Sequence, residues 1–129
     1  MNKKIAHVAL LVENYDEAID FYVNKLKFVL VEDTVLEGNK RWVVVAPNAE
    51  DGSSLLLAEA SNESQRKSIG NQSGGRVFLF LHTDNFKKEY QNLLDNNIHI
   101  VRKPIDQPYG IVAVFEDLYG NLWDLIEPK

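Results

Sequence analysis

The stretch Tyr109-Gly-Ile-Val-Ala-Val-Phe-Glu-Asp-Leu-Tyr-Gly-Asn-Leu-Trp-Asp-Leu-Ile-Glu127 decides how the chain is read. Two apolar runs flank Asp117-Leu118-Tyr119-Gly120-Asn121, a cluster whose residues favour positive φ and side-chain-to-backbone bonds. This predicts a β-hairpin. Its second strand carries one acid, Asp124, among Leu122, Trp123, Leu125 and Ile126. A carboxylate in an apolar strand is costly to bury unless something pairs with it. Alternation places Trp123 on the opposite, helix-covered face.

Working back from the hairpin, the second half of the chain reads as one unit. Arg76–His82 is a strand-like run, and Asp84 is the expected cap of a helix with apolar positions Phe86, Tyr90, Leu93 and Leu94. Asn96-Asn97 ends that helix, Ile98–Arg102 makes a short strand, and Pro104 and Pro108 bound a turn before the hairpin. The order is β-α-β-β-β.

The first half repeats it. Lys4–Val12 is apolar apart from His7 and fits a buried strand. Asn14 with Glu17 three residues on is a capping-box pattern, and Ala18, Ile19, Tyr22 and Leu26 give helical spacing over 15–26. Phe28–Leu36, Arg41–Ala46 and Ser54–Ala60 follow as strands, separated by Glu37-Gly38-Asn39-Lys40 and by Pro47-Asn48 with Asp51-Gly52. Between the halves lies a polar connector rich in Ser, Asn and Gly, expected to be structureless. The reading is therefore α+β, a single domain over 1–129 with a module at about 1–61, a connector at 62–75 and a second module at about 76–129. Shared element order without residue identity is the mark of an internal repeat. Two such modules predict a curved, cup-like mixed sheet with helices outside and a ligand concavity inside.

Bulk properties narrow the function. A chain of 129 residues, 45% apolar and 26% charged, can bury an ordinary core. Its net charge of −5 argues against nucleic acid, which needs a basic face. No apolar run approaches the about 18 residues of a membrane helix, no signal peptide is evident, and a cytoplasmic location is expected. The absence of cysteine removes disulfides, thiolate metal sites and cysteine nucleophiles.

Taken together, the paired modules, His7 in the first strand, Asn14-Tyr-Asp-Glu-Ala-Ile-Asp-Phe-Tyr22 and Asp117-Leu-Tyr-Gly-Asn-Leu-Trp-Asp124 resemble the vicinal-oxygen-chelate superfamily. That superfamily spans glyoxalase I, extradiol dioxygenases, fosfomycin-resistance transferases and bleomycin-binding proteins. The resemblance covers essentially the whole chain and speaks to fold more than to reaction. It implies that His7 stands at a first-strand metal position and Asp124 at the position of a last-strand glutamate, one carbon shorter. Val77 falls where a second histidine is often found. His82, five residues on, has the opposite parity and is expected to face away. Glu59 is the one residue of Ser54–Ala60 able to complete a divalent site for Zn, Mn, Fe or Ni.

Two function classes follow. In one, a divalent ion on His7, Asp124 and Glu59 polarises two neighbouring substrate oxygens, as in lyase, isomerase or dioxygenase chemistry. In the other, the concavity binds or sequesters a small molecule without metal, and His7 and Asp124 are pocket or core residues that can hydrogen-bond to each other. Arg41, Trp42, Val77, Tyr109 and Glu116 are candidate pocket residues; an Arg would suit a ligand carboxylate or phosphate, and an aromatic would stack on a flat one. A homodimer is expected, since members of the family commonly dimerise and sheet edges need cover.

Overall fold

A computed structural model describes all 129 residues. The chain divides into two compact units, Met1–Ile69 and Gly70–Lys129, each a four-stranded mixed sheet with helices. The architecture is α+β, as the residue pattern predicts.

In the first unit, β1 (His7–Val12), β2 (Val29–Val35), β3 (Arg41–Ala46) and β4 (Ser54–Glu59) form a sheet of order β1-β4-β3-β2. Only β1 and β4 run parallel, from His7↔Ser54 to Val12↔Glu59. Helix α1 (Tyr15–Ile19) crosses between β1 and β2 and continues as a π-helical turn over Asp20–Lys25. The Asn14 side chain accepts the Glu17 N–H at 3.0 Å, so the cap expected from the sequence is in place. The widened turn closes with the Leu26 N–H on Phe21 C=O, and Lys27 then takes a left-handed φ of 67°.

Strand alternation splits this sheet into two unlike faces. One carries Leu10, Val12, Leu55, Leu57, Val43 and Val45, all buried with Ala18, Phe21, Tyr22 and Phe28. Each such side chain contributes roughly 1.5–3 kcal/mol when fully removed from water. Phe21, Tyr22 and Phe28 meet edge-on or tilted, with ring centroids 5.1 and 5.5 Å apart. The other face carries His7, Ala9, Leu11, Leu56, Ala58 and Trp42, and most of these remain partly open.

The second unit repeats the plan. Strands β5 (Val77–His82), β6 (Ile100–Gln107), β7 (Gly110–Glu116) and β8 (Leu122–Pro128) take the order β5-β8-β7-β6, with β5 and β8 parallel. Helix α3 (Phe86–Asp95) follows β5. Trp123 and Leu125 are buried with Phe115, Ala113, Phe86 and Leu93, and the Trp123 and Phe115 rings stack at 5.9 Å. The β7–β8 turn is organised by buried Asp117, whose Oδ1 accepts the N–H groups of Tyr119, Gly120 and Asn121 at 2.9–3.0 Å. Its Oδ2 takes the Asn121 amide at 2.9 Å.

Four local expectations need correction. The cap of α3 is Asn85, not Asp84; its side chain accepts the Lys88 N–H at 3.2 Å. The connector is not structureless, since Asn62 caps a short helix α2 (Glu63–Ser68) by accepting the Gln65 N–H at 2.8 Å. β6 runs straight through Pro104, which an edge strand with register shifts on both sides of Arg102 can hold without losing a ladder bond. Finally, a bulge at Phe78 shifts the β5 register between Val77 and Leu79. The extra residue reverses the parity, so His82 pairs with Ile126 and shares the face of Asp124 rather than pointing away.

Candidate functional site

The open face of the first unit is built around His7 and Trp42. Ser54, directly across the parallel ladder, places its Oγ 2.7 Å from His7 Nδ1, and that hydroxyl also reaches the Ala6 carbonyl at 3.1 Å. Trp42, 36% exposed, meets His7 edge-to-face with centroids 6.0 Å apart. The register puts Ala9 and Leu56 in the row between them. Beyond Trp42 a cleft of about 470 Å³ runs along the end of β4, bordered by Leu36, Lys40, Leu56, Ala58 and Gln65. That is ordinary size for a small-molecule site.

Arg41 borders the same cleft but is already committed. Its guanidinium forms a two-point pair with Asp33 (3.1 and 2.7 Å), a third bond to Asp16 at 2.9 Å, and lies 5.2 Å from the Tyr15 ring centroid. The hydrogen bonds to Asp33 and Asp16 raise its pKa further, and the bond from Arg41 lowers that of Asp33. The clamp ties α1 to the β2–β3 hairpin.

Glu59 is also not where a shared site needs it. It pairs with Val12 on the helix-covered face, five residues along the ladder from His7, or roughly 17 Å at strand rise. There its Oε2 accepts the Tyr15 N–H at 3.3 Å, one of the unsatisfied donors at the start of α1. Neither unit gathers three or more His, Asp or Glu side chains able to hold a metal. Within the first unit, His7 and Glu59 are therefore not brought together around one ion.

In the second unit, Asp124 lies on the sheet face opposite α3, paired with Phe80 on one side and Val114 on the other. Phe80 is 61% exposed. The Asp124 Oδ1 is buried with no hydrogen-bond partner. Burial raises its pKa, and the charge of Arg102, which pairs with Val114 in the next strand, works in the opposite direction. Glu116 and half-buried Val77 share this face through their Leu122 pairings. Tyr109 stands 56% exposed in the β6–β7 turn. Sequence reasoning missed Ser54, Phe80 and Arg102. An alternating count from Asp124 along paired strands would have found Phe80 had the bulge been visible, but Val-Phe-Leu-Phe-Leu is apolar throughout.

The fold defines a class of proteins built from two βαβββ modules. The chain belongs to the Glyoxalase/Bleomycin resistance protein/Dioxygenase superfamily, whose family model matches residues 4–125. It is 61% identical over 128 residues to an uncharacterized protein of Shewanella frigidimarina strain NCIMB 400, covering 98% of this chain and 95% of that one. Among solved structures it is similar to UcmS2, at 29% identity and a TM-score of 0.84, covering 98% of this chain and 99% of that one. It is also similar to TnmS3, an antibiotic binding protein from Streptomyces sp. CB03234, at 26% identity and a TM-score of 0.81, covering 99% of this chain and 98% of the other. No helix is long and apolar enough to cross a membrane.

Proposed function

We propose that this protein binds or sequesters a small, flat, largely apolar molecule at the His7–Trp42 face of its first unit and the adjoining cleft, without needing a metal ion. The observation that carries this reading is the His7–Trp42 pair: an open indole edge-on to an imidazole beside a cleft of about 470 Å³. Open aromatic surface beside a concave cleft of mixed apolar and polar lining is what a small-molecule site offers. The likeness to TnmS3 supports it and makes an aromatic antibiotic a suitable first ligand class. The protein is proposed to act in the cytoplasm as a single domain and a homodimer.

A second reading, a metal-dependent lyase or dioxygenase, is favoured by one observation, the unpartnered Oδ1 of Asp124. The diversion of Glu59 to the α1 N-terminus weighs against it, and no reaction step is assigned to an ion.

Metal analysis of protein purified without chelator, alongside His7→Ala and Asp124→Ala, separates the two. Metal at or below trace level, even after Zn, Mn, Fe or Ni is added, is the expected result. Stoichiometric metal lost in both variants would overturn the binding reading. Thermal shifts with aromatic antibiotics should then raise Tm by several degrees, because a ligand that binds only the folded state stabilises it.

A further inference from the structure

We infer that the ligand of the first unit is an aromatic bearing a hydrogen-bond donor, a phenol or arylamine, and that Ser54 is the positioning residue that presents His7 as its acceptor. The inference rests on the binding reading above and names its ligand class.

The argument begins with one proton. The Ser54 hydroxyl has a single hydrogen, and it has two neighbours, the Ala6 carbonyl at 3.1 Å and His7 Nδ1 at 2.7 Å. The Ala6 carbonyl, which also takes the Ser54 N–H at 3.1 Å, can only accept, so both hydroxyl contacts are hydrogen bonds together only when the hydroxyl donates to Ala6 and accepts from His7. A chain in which each group both gives and takes is also the cooperative arrangement. The proton of the neutral imidazole then sits on Nδ1. Its Nε2 carries a lone pair, and the ring is exposed. The imidazole that carries it meets the Trp42 ring edge-to-face at 6.0 Å, on the sheet face of Ala9 and Leu56. A ligand lying flat on the indole therefore meets an acceptor at its rim.

The charges point the same way. Among the strand residues on the His7 face of this sheet there is no Lys or Arg, while Glu32, paired with Val44, shares that face. Arg41 is held by Asp33 and Asp16. Lys40 borders the cleft but lies in the turn before β3. A carboxylate or phosphate would meet a lone pair and an acid; a hydroxyl or amine proton meets what it needs. Ether formation removes that proton and keeps the ring, so a phenol and its methyl ether isolate the one contact.

Calorimetric titration at about pH 8 should use 2,6-dihydroxynaphthalene, its dimethyl ether and naphthalene-2,6-dicarboxylate. The diol is expected to bind about tenfold tighter than the ether, with the dicarboxylate weakest. His7→Phe should equalise diol and ether, and Ser54→Ala should reduce the discrimination between them. Nitrogen-15 spectra should show the Nδ1–H tautomer of His7 in the wild type and its loss in Ser54→Ala, a readout that a purely structural serine would not move. Equal binding of diol and ether, or preference for the dicarboxylate, overturns this inference while leaving the binding reading standing. Saturable binding by none of the three, in protein whose circular dichroism is intact, overturns both.

Discussion

Glu127 Oε1 accepts the Phe86 N–H at 2.7 Å, tying the last strand of the second unit to the first residue of α3. Glu59 makes the corresponding bond to Tyr15 at 3.3 Å in the first unit. In each module a glutamate near the end of the fourth strand satisfies a donor that an Asn cap leaves open. The repeat is thus visible in a working contact where residue identity is nearly absent. By the same register, Asp124 holds the place that Leu56 holds in the first unit, and Val77 the place of His7.

These two glutamates should behave as structural residues. Glu127→Ala is expected to cost about 1–2 kcal/mol in urea denaturation, the range for a lost helix cap or charged hydrogen bond. Glu59→Ala should cost less, because its bond is longer, and should leave metal content unchanged. A loss of metal in Glu59→Ala without a loss of stability would contradict the assignment.

Asp124 should behave oppositely. Burial raises its pKa in the fold above the ordinary 3.8, so the native state holds its proton more tightly than the unfolded chain does. The ionised group therefore costs stability above its folded pKa, and that cost disappears as pH falls through the folded pKa toward the unfolded value. Asp124→Leu, which supplies the residue found at the matching place in the first unit, should stabilise the protein at neutral pH by up to about 1 kcal/mol. The gain should shrink toward zero in acid. Paired denaturation curves at neutral and acidic pH test this; a gain that grows on acidification would refute it.

The Arg41 clamp gives the contrary pH sign. Hydrogen bonding from Arg41 lowers the pKa of Asp33, so its contribution is present above the unfolded value of 3.8 and is lost as pH falls through the folded one. Arg41→Lys keeps the charge and loses the two-point geometry. It should destabilise by about 0.5–1 kcal/mol at low salt and less at high salt, as expected for a largely exposed network. Denaturation in low and high salt measures both terms.

The same residues show what the sequence reveals and where it stops. Periodicity and caps located all eight strands and both main helices because a buried face and an orphan N–H leave local marks. Asn14 with Glu17 and the Asp117–Asn121 turn were legible for that reason. The bulge at Phe78 left none: Val77–Leu81 is apolar at every position, so nothing betrayed the change of face that brings His82 round to Asp124. The partners that Arg41 and Glu59 hold, Asp33, Asp16 and the Tyr15 amide, are not legible in the sequence because the fold supplies them. A residue's type reports what it can bind. Only the register reports what it does bind.

Gly70 offers the sharpest steric test. It takes φ of +79°, and a Cβ there would stand 2.0 Å from the Tyr119 carbonyl oxygen in the β7–β8 turn. Backbone cannot yield as a flexible side chain can, so the turn organised by Asp117 would have to move. Gly38 has a similar φ of +68° but nothing within 4 Å of an added Cβ. Gly38→Ala should therefore cost about 1 kcal/mol, the penalty for a left-handed conformation alone. Gly70→Ala should cost about 3 kcal/mol or more, since a backbone clash adds to the same φ penalty. Thermal and urea unfolding of the two variants side by side isolate the contact; equal costs would mean that the turn gives way freely and that Gly70 is held only by its dihedral.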